Sequence, residues 1–575
     1  MSGASGTADD RWSRASRVVC ALLIVTGVAV RIRLYREASP LSLDESMLAL
    51  NVAMRGWRQL TEPLALEQTA PVVFLWLTRL VVLIGGVGER ALRLVPFVSG
   101  LAVIPIVAVI AVQLRAPRAA WLAAALAALA PLAIHFALTF KQYSSDAAVT
   151  GTVLVVALDV AHSPERVRGW WTLAIVALFA PFLAAPAVFV SAASVVGLWV
   201  APGIAQSVRA RTRVALIALL AVSAGTINYL LFQRATVSNA YMQRYWSSAF
   251  PGVSLASTAG LARELPAHLL NDLLVGTSVP AGRVWHIWMA TLLGAGVWWL
   301  ARRRRVWALL LVVGPIVAVV VAATARRYPL APRTLVFLAP LVIVLAALGV
   351  QYLADRATEA RRSVAAFWLA AVTVLPVLAD ARTQWRAPHV SGPELRSALR
   401  AISSQVDLGE PIYLFSRGVP VWLFYSTDWA HPDLARLDRM IDFSRQIGPN
   451  SGNAPHRPHV ISHEGWALVS HDRERTELVG IATGMEDLLP GATGLKPDSG
   501  WATNEAARIN AVASRRMWIF FTTCHAHCEK MLADTLGASG GVLGDTLYLA
   551  TTTLYEYTGR RSTADSAAVG RTRAR

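Results

Sequence analysis

Four short stretches of this chain carry groups able to do chemistry. The first is Leu41-Ser42-Leu43-Asp44-Glu45-Ser46, with two adjacent carboxylates. Ser42 with Glu45 three residues on fits a helix capping box, and acids in a first helical turn are favoured by the helix dipole. That reading employs Glu45 and leaves Asp44 for use as a general base. The second is Lys141-Gln142-Tyr143-Ser144-Ser145-Asp146. Either it opens a helix, with Ser144 or Ser145 as cap and Lys141 and Tyr143 anchoring at a membrane interface, or Asp146 is a second functional acid. The third is Arg326-Arg327-Tyr328-Pro329 with Arg333. Clustered guanidinium groups suit a phosphate, which arginine grips through two parallel hydrogen bonds; lipid headgroup anchoring is the alternative. The fourth brings Tyr241, Arg244, Tyr245 and Trp246, a mixture that stacks on sugars or decorates a membrane interface.

The rest of the chain sets what can hold these groups. Its 575 residues are 55% apolar and 16% charged, whereas charged residues make up about a quarter of a soluble domain. The mean hydropathy of +0.47 agrees, so the composition is that of a polytopic membrane protein. Three cysteines cannot staple a chain of this length, which excludes a disulfide scaffold. The net charge of +18 is not a nucleic-acid signal, because the arginines sit in short clusters between apolar runs and no basic stripe is interleaved with aromatics.

A bilayer core needs about 20 apolar residues per helix. Runs of that kind predict eleven spans, at 17–36, 91–114, 119–140, 146–161, 169–183, 186–203, 213–232, 285–301, 306–324, 333–353 and 363–380. The basic clusters Arg11/Arg14/Arg17, Arg115/Arg118, Arg166/Arg168, Arg209/Arg211/Arg213, Arg302 to Arg305 and Arg356/Arg361/Arg362 then all fall on one side, the cytoplasmic side by the positive-inside rule. This holds only if the apolar stretch 70–86 lies in the outer interface, a placement that Pro71 at its start and Arg79 in its middle favour. Asp44 and Asp146 then share the outer face. Arg31, Arg33 and Arg36, like Arg326, Arg327 and Arg333, are also outer, and either snorkel to headgroups or meet an anionic ligand.

The expected layout is a cytoplasmic tail over 1–16, a membrane module over 17–380 with outer loops 37–90 and 233–284, an extracytoplasmic α/β domain over 381–561, and a disordered tail over 562–575. In the outer domain Ile412 to Ser416, Met517 to Thr522 and Thr552 to Tyr557 read as strands, and Glu394 to Gln405 and Trp501 to Ser514 as helices. Cys524-His525-Ala526-His527-Cys528 is too tightly spaced to converge on one tetrahedral ion, and a local disulfide or free thiols fit an oxidising compartment better. The sequence contains no phosphate-cradling glycine loop, serine nucleophile elbow or zinc-protease motif.

The order of parts resembles a known class. An Asp-Glu pair directly after the first span, an apolar Pro-started stretch, Gly88-Glu89-Arg90-Ala91-Leu92-Arg93-Leu94, an Asp after the third span, and Tyr328-Pro329 to Arg333 before an outward helix together resemble the GT-C membrane glycosyltransferases. Within that class the pattern is most similar to the branch of protein O-mannosyltransferases and the lipid A aminoarabinose transferase. The resemblance covers about residues 15 to 380 and implies a polytopic helical fold that works at the outer membrane face. It implies a polyprenyl-phosphate sugar as donor, a hydroxyl of a glycan, lipid or protein as acceptor, and Asp44 as catalytic base with Glu45 beside it and Asp146 as the second acid. The chain departs from the pattern at Gln68-Thr69-Ala70-Pro71, where some relatives place a lysine directly before the proline. Phosphate binding therefore shifts to Arg327 and Arg333, with Tyr328, Lys141, Tyr143, Tyr245 and Trp246 as further substrate contacts.

The chemistry agrees with the inventory. A phosphate leaving an anomeric carbon is already a good anion, so one base and a few cations suffice, and direct displacement inverts the centre. The residues single out no cofactor, and a divalent metal ion is left open. The competing readings are a polysaccharide ligase or polymerase with a diphosphate-linked donor, and a noncatalytic transporter or assembly factor. A transporter is expected to carry charges near the midplane, whereas most notable charges here lie at one surface.

Overall fold

In the computed structural model, residues 14–251, 283–303, 305–386, 411–414, 418–435, 437, 467–471, 476–480, 499–512, 516–522, 528–549 and 552–558 are described. The expected helix over 394–405, the tail from 562 and Cys524 to His527 lie outside them.

The chain is a polytopic helical membrane protein with a small α/β domain. Its apolar runs form α1 (Arg14–Glu37), α4 (Glu89–Gln113), α5 (Ala120–Leu129), α6 (Pro131–Ala137), α7 (Tyr143–His162), α8 (Val167–Leu183), α9 (Ala187–Trp199), α10 (Val208–Asn228), α11 (Arg283–Arg302), α12 (Val306–Thr324), α13 (Ala339–Ala354) and α14 (Glu359–Arg386). Between α1 and α4 lie α2 (Leu43–Met54) and α3 (Val72–Gly85). Eight of the described helices, α1, α4, α7 and α10 to α14, are long and apolar enough to cross a membrane. The run expected as one span over 119–140 is the pair α5 and α6, bent by 58° where Pro131 follows Ala130. The run expected at 169–183 is α8, which at 17 residues is slightly longer than expected, whereas the run expected at 186–203 is shorter: α9 has 13 residues, so it rises only about 20 Å. Helix α3 has 14 residues, with Leu75, Thr78 and Val82 buried and Leu80, Leu83 and Ile84 exposed.

Two packing details hold this frame. Arg31, in the middle of apolar surroundings, is only 1% exposed. It neither snorkels nor waits for a ligand: its guanidinium donates to the carbonyls of Ala127 at 2.7 Å and Ala128 at 2.9 Å, satisfying the freed end of α5 at the break. Helices α11 and α13 cross closely because each puts a glycine on the other's backbone. A Cβ at Gly296 would lie 2.2 Å from the Leu345 carbonyl oxygen, and one at Gly349 would lie 2.1 Å from that of Leu292.

The C-terminal domain contains a six-stranded sheet in the order β3-β2-β1-β4-β6-β5, formed by β1 (Pro411–Leu414), β2 (Ala467–His471), β3 (Thr476–Gly480), β4 (Arg516–Thr522), β5 (Val542–Leu549) and β6 (Thr552–Thr558). Only β1 and β4 pair in parallel. The expected strands at 412, 517 and 552 are β1, β4 and β6, and the expected helix at 501 is Ser499–Val512. Strand β4 shows how the domain is fixed, since alternate side chains face opposite sides. Met517 and Ile519 pack with Ile509 and Leu532 of the domain's own helices, whereas Trp518 and Phe520 join Leu41, Leu48, Phe74 and Phe140 of the membrane module. The short helix α15 (Val419–Ser426) adds Trp422 and Phe424 to that second cluster. The C-terminal domain is thereby seated on α2, which carries the first acidic pair, and on α3.

Candidate active site

Helix α2 starts at the acidic pair because Ser42 caps it. Ser42 Oγ accepts from the Glu45 amide and Glu45 Oε2 accepts from the Ser42 amide, the reciprocal capping box. Glu45 is then fully buried and held further. Arg93 Nε donates to Glu45 Oε1 at 2.8 Å, Arg93 Nη2 donates to Oε2 at 3.0 Å, and the Phe140 amide donates to Oε1 at 2.7 Å. Burial pushes the Glu45 carboxyl up, but the Arg93 charge and these hydrogen bonds outweigh it and hold the group below the ordinary carboxylate range. Glu45 was expected beside Asp44 in the catalytic group. The structure gives it another place, tying α2 to α4 and to the loop before α7, with no lining position in the pocket that Asp44 faces.

Asp44 points the other way. Its Oδ2 accepts from Arg333 Nη1 at 3.0 Å, and its side chain is 49% exposed against 29% for Arg333. Arg333 Nη2 also donates to the Tyr245 hydroxyl at 2.7 Å, and the guanidinium lies 4.6 Å from the centre of the Trp246 ring. These residues line a cavity of about 100 Å³ with Gln68, Glu67, Lys141, Tyr143 and others. Lys141 is buried, and its Nζ donates to Gln68 Oε1 at 2.7 Å. Burial pushes the Lys141 ammonium down and Arg333 adds to this, against the opposing carboxylates of Asp44 and Glu45.

The wall with Glu67 and Gln68 is a strained turn. Leu66 and Glu67 both have positive φ, 59° and 54°, a region that residues with side chains occupy at a cost. Asn51 holds the turn from α2, its side chain both donating to the Ala65 carbonyl and accepting from the Ala65 amide. Glu67 accepts from Asn239 Nδ2 at 2.7 Å.

Six of the expected site residues, Asp44, Lys141, Tyr143, Tyr245, Trp246 and Arg333, therefore line one pocket although they come from four separate segments. Four others do not: Glu45, as described, and Arg327, Tyr328 and Asp146. Arg327 is exposed and outside the lining, because the chain turns at Arg326, which has φ 55°. Tyr328 is turned into the helix layer, stacked edge-on against Phe189 and Phe337, with its hydroxyl donating to the Thr334 carbonyl at 2.8 Å. Burial, with Asp146 and Tyr143 adding, holds its phenolic proton firmly. Asp146 sits one turn along α7 from Tyr143, is buried, and has an Oδ1 without a hydrogen-bond partner among the described residues. Tyr241 and Arg244 side chains are outside the described set.

Sequence reading missed three contributors. Arg93 is the counter-ion of Glu45, and an arginine inside an apolar helix was a signal that such a carboxylate exists. Asn51 carried no signal. Tyr425, on α15, accepts from the Leu41 amide at 2.8 Å and donates to Glu89 at 2.9 Å, so the C-terminal domain grips the segment just ahead of Asp44. Among the described residues, no group of three or more His, Cys, Asp or Glu side chains is gathered to hold a metal ion.

No family model matches this chain, and no curated protein matches it in sequence. Among solved structures it is similar to the oligosaccharyltransferase of Archaeoglobus fulgidus in complex with zinc and sulfate, at 18% identity and a TM-score of 0.46, over 68% of this chain and 55% of that one. The chain thus spans about half the length of that relative. It is also similar to ArnT from Cupriavidus metallidurans, at 14% identity and a TM-score of 0.47 in the apo state, and at 15% and 0.42 bound to undecaprenyl phosphate, in both cases over 95% of this chain and 98% of that one.

Proposed function

We propose that the chain is a membrane glycosyltransferase of the GT-C kind, which moves a sugar from a polyprenyl phosphate to an acceptor hydroxyl at the membrane face where Asp44 lies. The observation that carries this reading is the Asp44 to Arg333 contact of 3.0 Å in a pocket that also holds Lys141. It gathers a carboxylate and two basic side chains within one small volume, which supports the reading. In this reading Arg333 and Lys141 hold the donor phosphate, and Tyr245 and Trp246 flank the sugar. Asp44 takes the proton of the acceptor hydroxyl while its oxygen attacks the anomeric carbon; the bond from that carbon to the phosphate oxygen breaks, and polyprenyl phosphate leaves as the anion. The attack comes from the side opposite the leaving group, so the centre inverts.

The pairing of base and cation adds an order to these events. A carboxylate bonded to a guanidinium is a poor base, and a donor phosphate competes for that same guanidinium. Donor binding draws Arg333 from Asp44 and frees the base, so the donor binds before the acceptor is activated. Direct titration of the purified chain with a polyprenyl-phosphate sugar tests the phosphate site. Arg333→Lys keeps the charge but loses the planar two-point grip and weakens binding; Arg333→Ala weakens it further, since a charge-assisted hydrogen bond contributes about 1.5 to 3 kcal/mol. Unchanged affinity in a folded Arg333→Ala variant would assign this arginine to the lipid interface instead.

A further inference from the structure

The bend between α5 and α6 has a local cause and a distant clamp. Pro131 brings no amide hydrogen, so the Ala127 carbonyl has no helical partner four residues on, and it holds Ala130 out of the helical region, at φ −54° and ψ 118°. A proline permits a break without setting its angle. Arg31 supplies the constraint from another helix. Its Nη2 donates to the Ala127 carbonyl at 2.7 Å, and its Nη1 to those of Ala128 at 2.9 Å and Gly27 at 3.2 Å, so one rigid plane joins α1 to the last turn of α5. The two helices touch there, since a Cβ at Gly27 would lie 2.7 Å from that of Ala128. The far end of α6 is seated as tightly: a Cβ at Gly100 of α4 would lie 2.4 Å from that of Ala137.

The segment that follows α6 belongs to the site. Its Phe140 amide donates to Glu45 Oε1 at 2.7 Å, and Lys141 Nζ donates to Gln68 Oε1 at 2.7 Å. With α6 held at both ends and only a few residues between it and these groups, the angle of the bend decides where they lie. We propose that Arg31 is a positioning residue of the site: by holding the bend it aims the Phe140 amide at Glu45 and the Lys141 ammonium into the pocket. Its effect on donor binding rests on the function proposed above, whereas its effect on the loop does not. An unbroken helix would satisfy the same carbonyls without a buried cation, so the burial of Arg31, at 1% exposure, has a use only if the bend does.

Amide hydrogen exchange and titration with a polyprenyl-phosphate sugar, on the purified full chain as wild type, Pro131→Ala and Arg31→Met/Pro131→Ala, test this. Pro131→Ala gives the Ala127 carbonyl an amide partner, so the double variant can fold with a straight helix and no orphaned carbonyl. Pro131→Ala alone should keep the bend, because straightening would strip the buried guanidinium of two of its three carbonyls, and it should match wild type in both measurements. In the double variant, exchange over residues 138–142 should rise by about ten-fold or more, as the charge-assisted hydrogen bond of the Phe140 amide is lost. Donor affinity should fall by about ten-fold with the loss of the Lys141 contact. The decline of that affinity with rising pH, which Lys141 sets, should flatten, a change that a merely structural arginine would not cause. Unchanged exchange over 138–142 in the double variant, or a loss already complete in Pro131→Ala, would overturn the proposal. So would raised exchange with donor affinity and pH profile unmoved, which would confine Arg31 to the fold. A wild-type chain that binds no donor would defeat the proposed function instead, and the exchange measurement would still decide whether Arg31 aims the loop.

Discussion

At the level of single residues, the capping box offered Glu45 a structural use, although the resemblance placed both adjacent acids in the catalytic group. A capping box needs Glu at its third position, so Glu45 had a structural use and Asp44 had none. What spacing could not show is that Arg93, 48 residues on, completes the burial of Glu45. Nor could it tell Arg327 from Arg333, since two arginines six positions apart look equally suited to a phosphate until a turn at Arg326 sends one outward. Lys141 is the more informative case. Its Nζ ends 2.7 Å from the side chain of Gln68, the position where the resemblance points to a lysine, and in the proposed reading Lys141 takes that place. Because burial lowers its proton affinity, it loses charge at a lower pH than an exposed lysine, whose ordinary value is about 10.4. Affinity for a polyprenyl phosphate should therefore fall as pH rises toward 10, and Lys141→Arg, which stays charged, should flatten that fall. Donor titrations at several pH values check this; identical profiles for the two proteins would remove Lys141 from the phosphate site.

At the level of elements, helix existence was legible from apolar runs, and helix length was not. Composition cannot show that Pro131 breaks one run by 58° or that α9 stops after 13 residues. The sheet was legible where apolar and aromatic residues run together, as in β4, and not in β2 and β3, whose residues are mixed. The docking of α15 on α2 was invisible, because a hydrogen bond 384 residues apart leaves no local pattern. Its effect on function is testable. Tyr425→Phe leaves the Leu41 amide without its partner, a loss of about 1 to 3 kcal/mol if it stays buried, and loosens the segment that aims Asp44. Turnover should drop several-fold while donor affinity holds, because Arg333 and Lys141 are untouched. A matching loss in donor affinity would mean that the contact serves the fold as a whole and not the aim of the base.

At the level of the whole molecule, the charge alternation in the sequence predicts which end of the helical bundle faces out. Single cysteines at the exposed positions Arg90 and Arg327 should react with an impermeant thiol reagent in intact cells, and those at Arg115 and Arg303 only after permeabilisation. The reverse pattern would invert the orientation and place the Asp44 pocket on the cytoplasmic side. The central claim, that Asp44 acts on the acceptor while Arg333 holds the donor, is tested most directly by measuring turnover and donor affinity together on Asp44→Asn. Loss of general-base help should lower release of polyprenyl phosphate from the donor by about 100-fold or more. Donor affinity should hold or rise, since Arg333 no longer shares its charge with a carboxylate 3.0 Å away. Wild-type turnover in that variant, or a loss of donor affinity as large as the loss of turnover, would contradict the account.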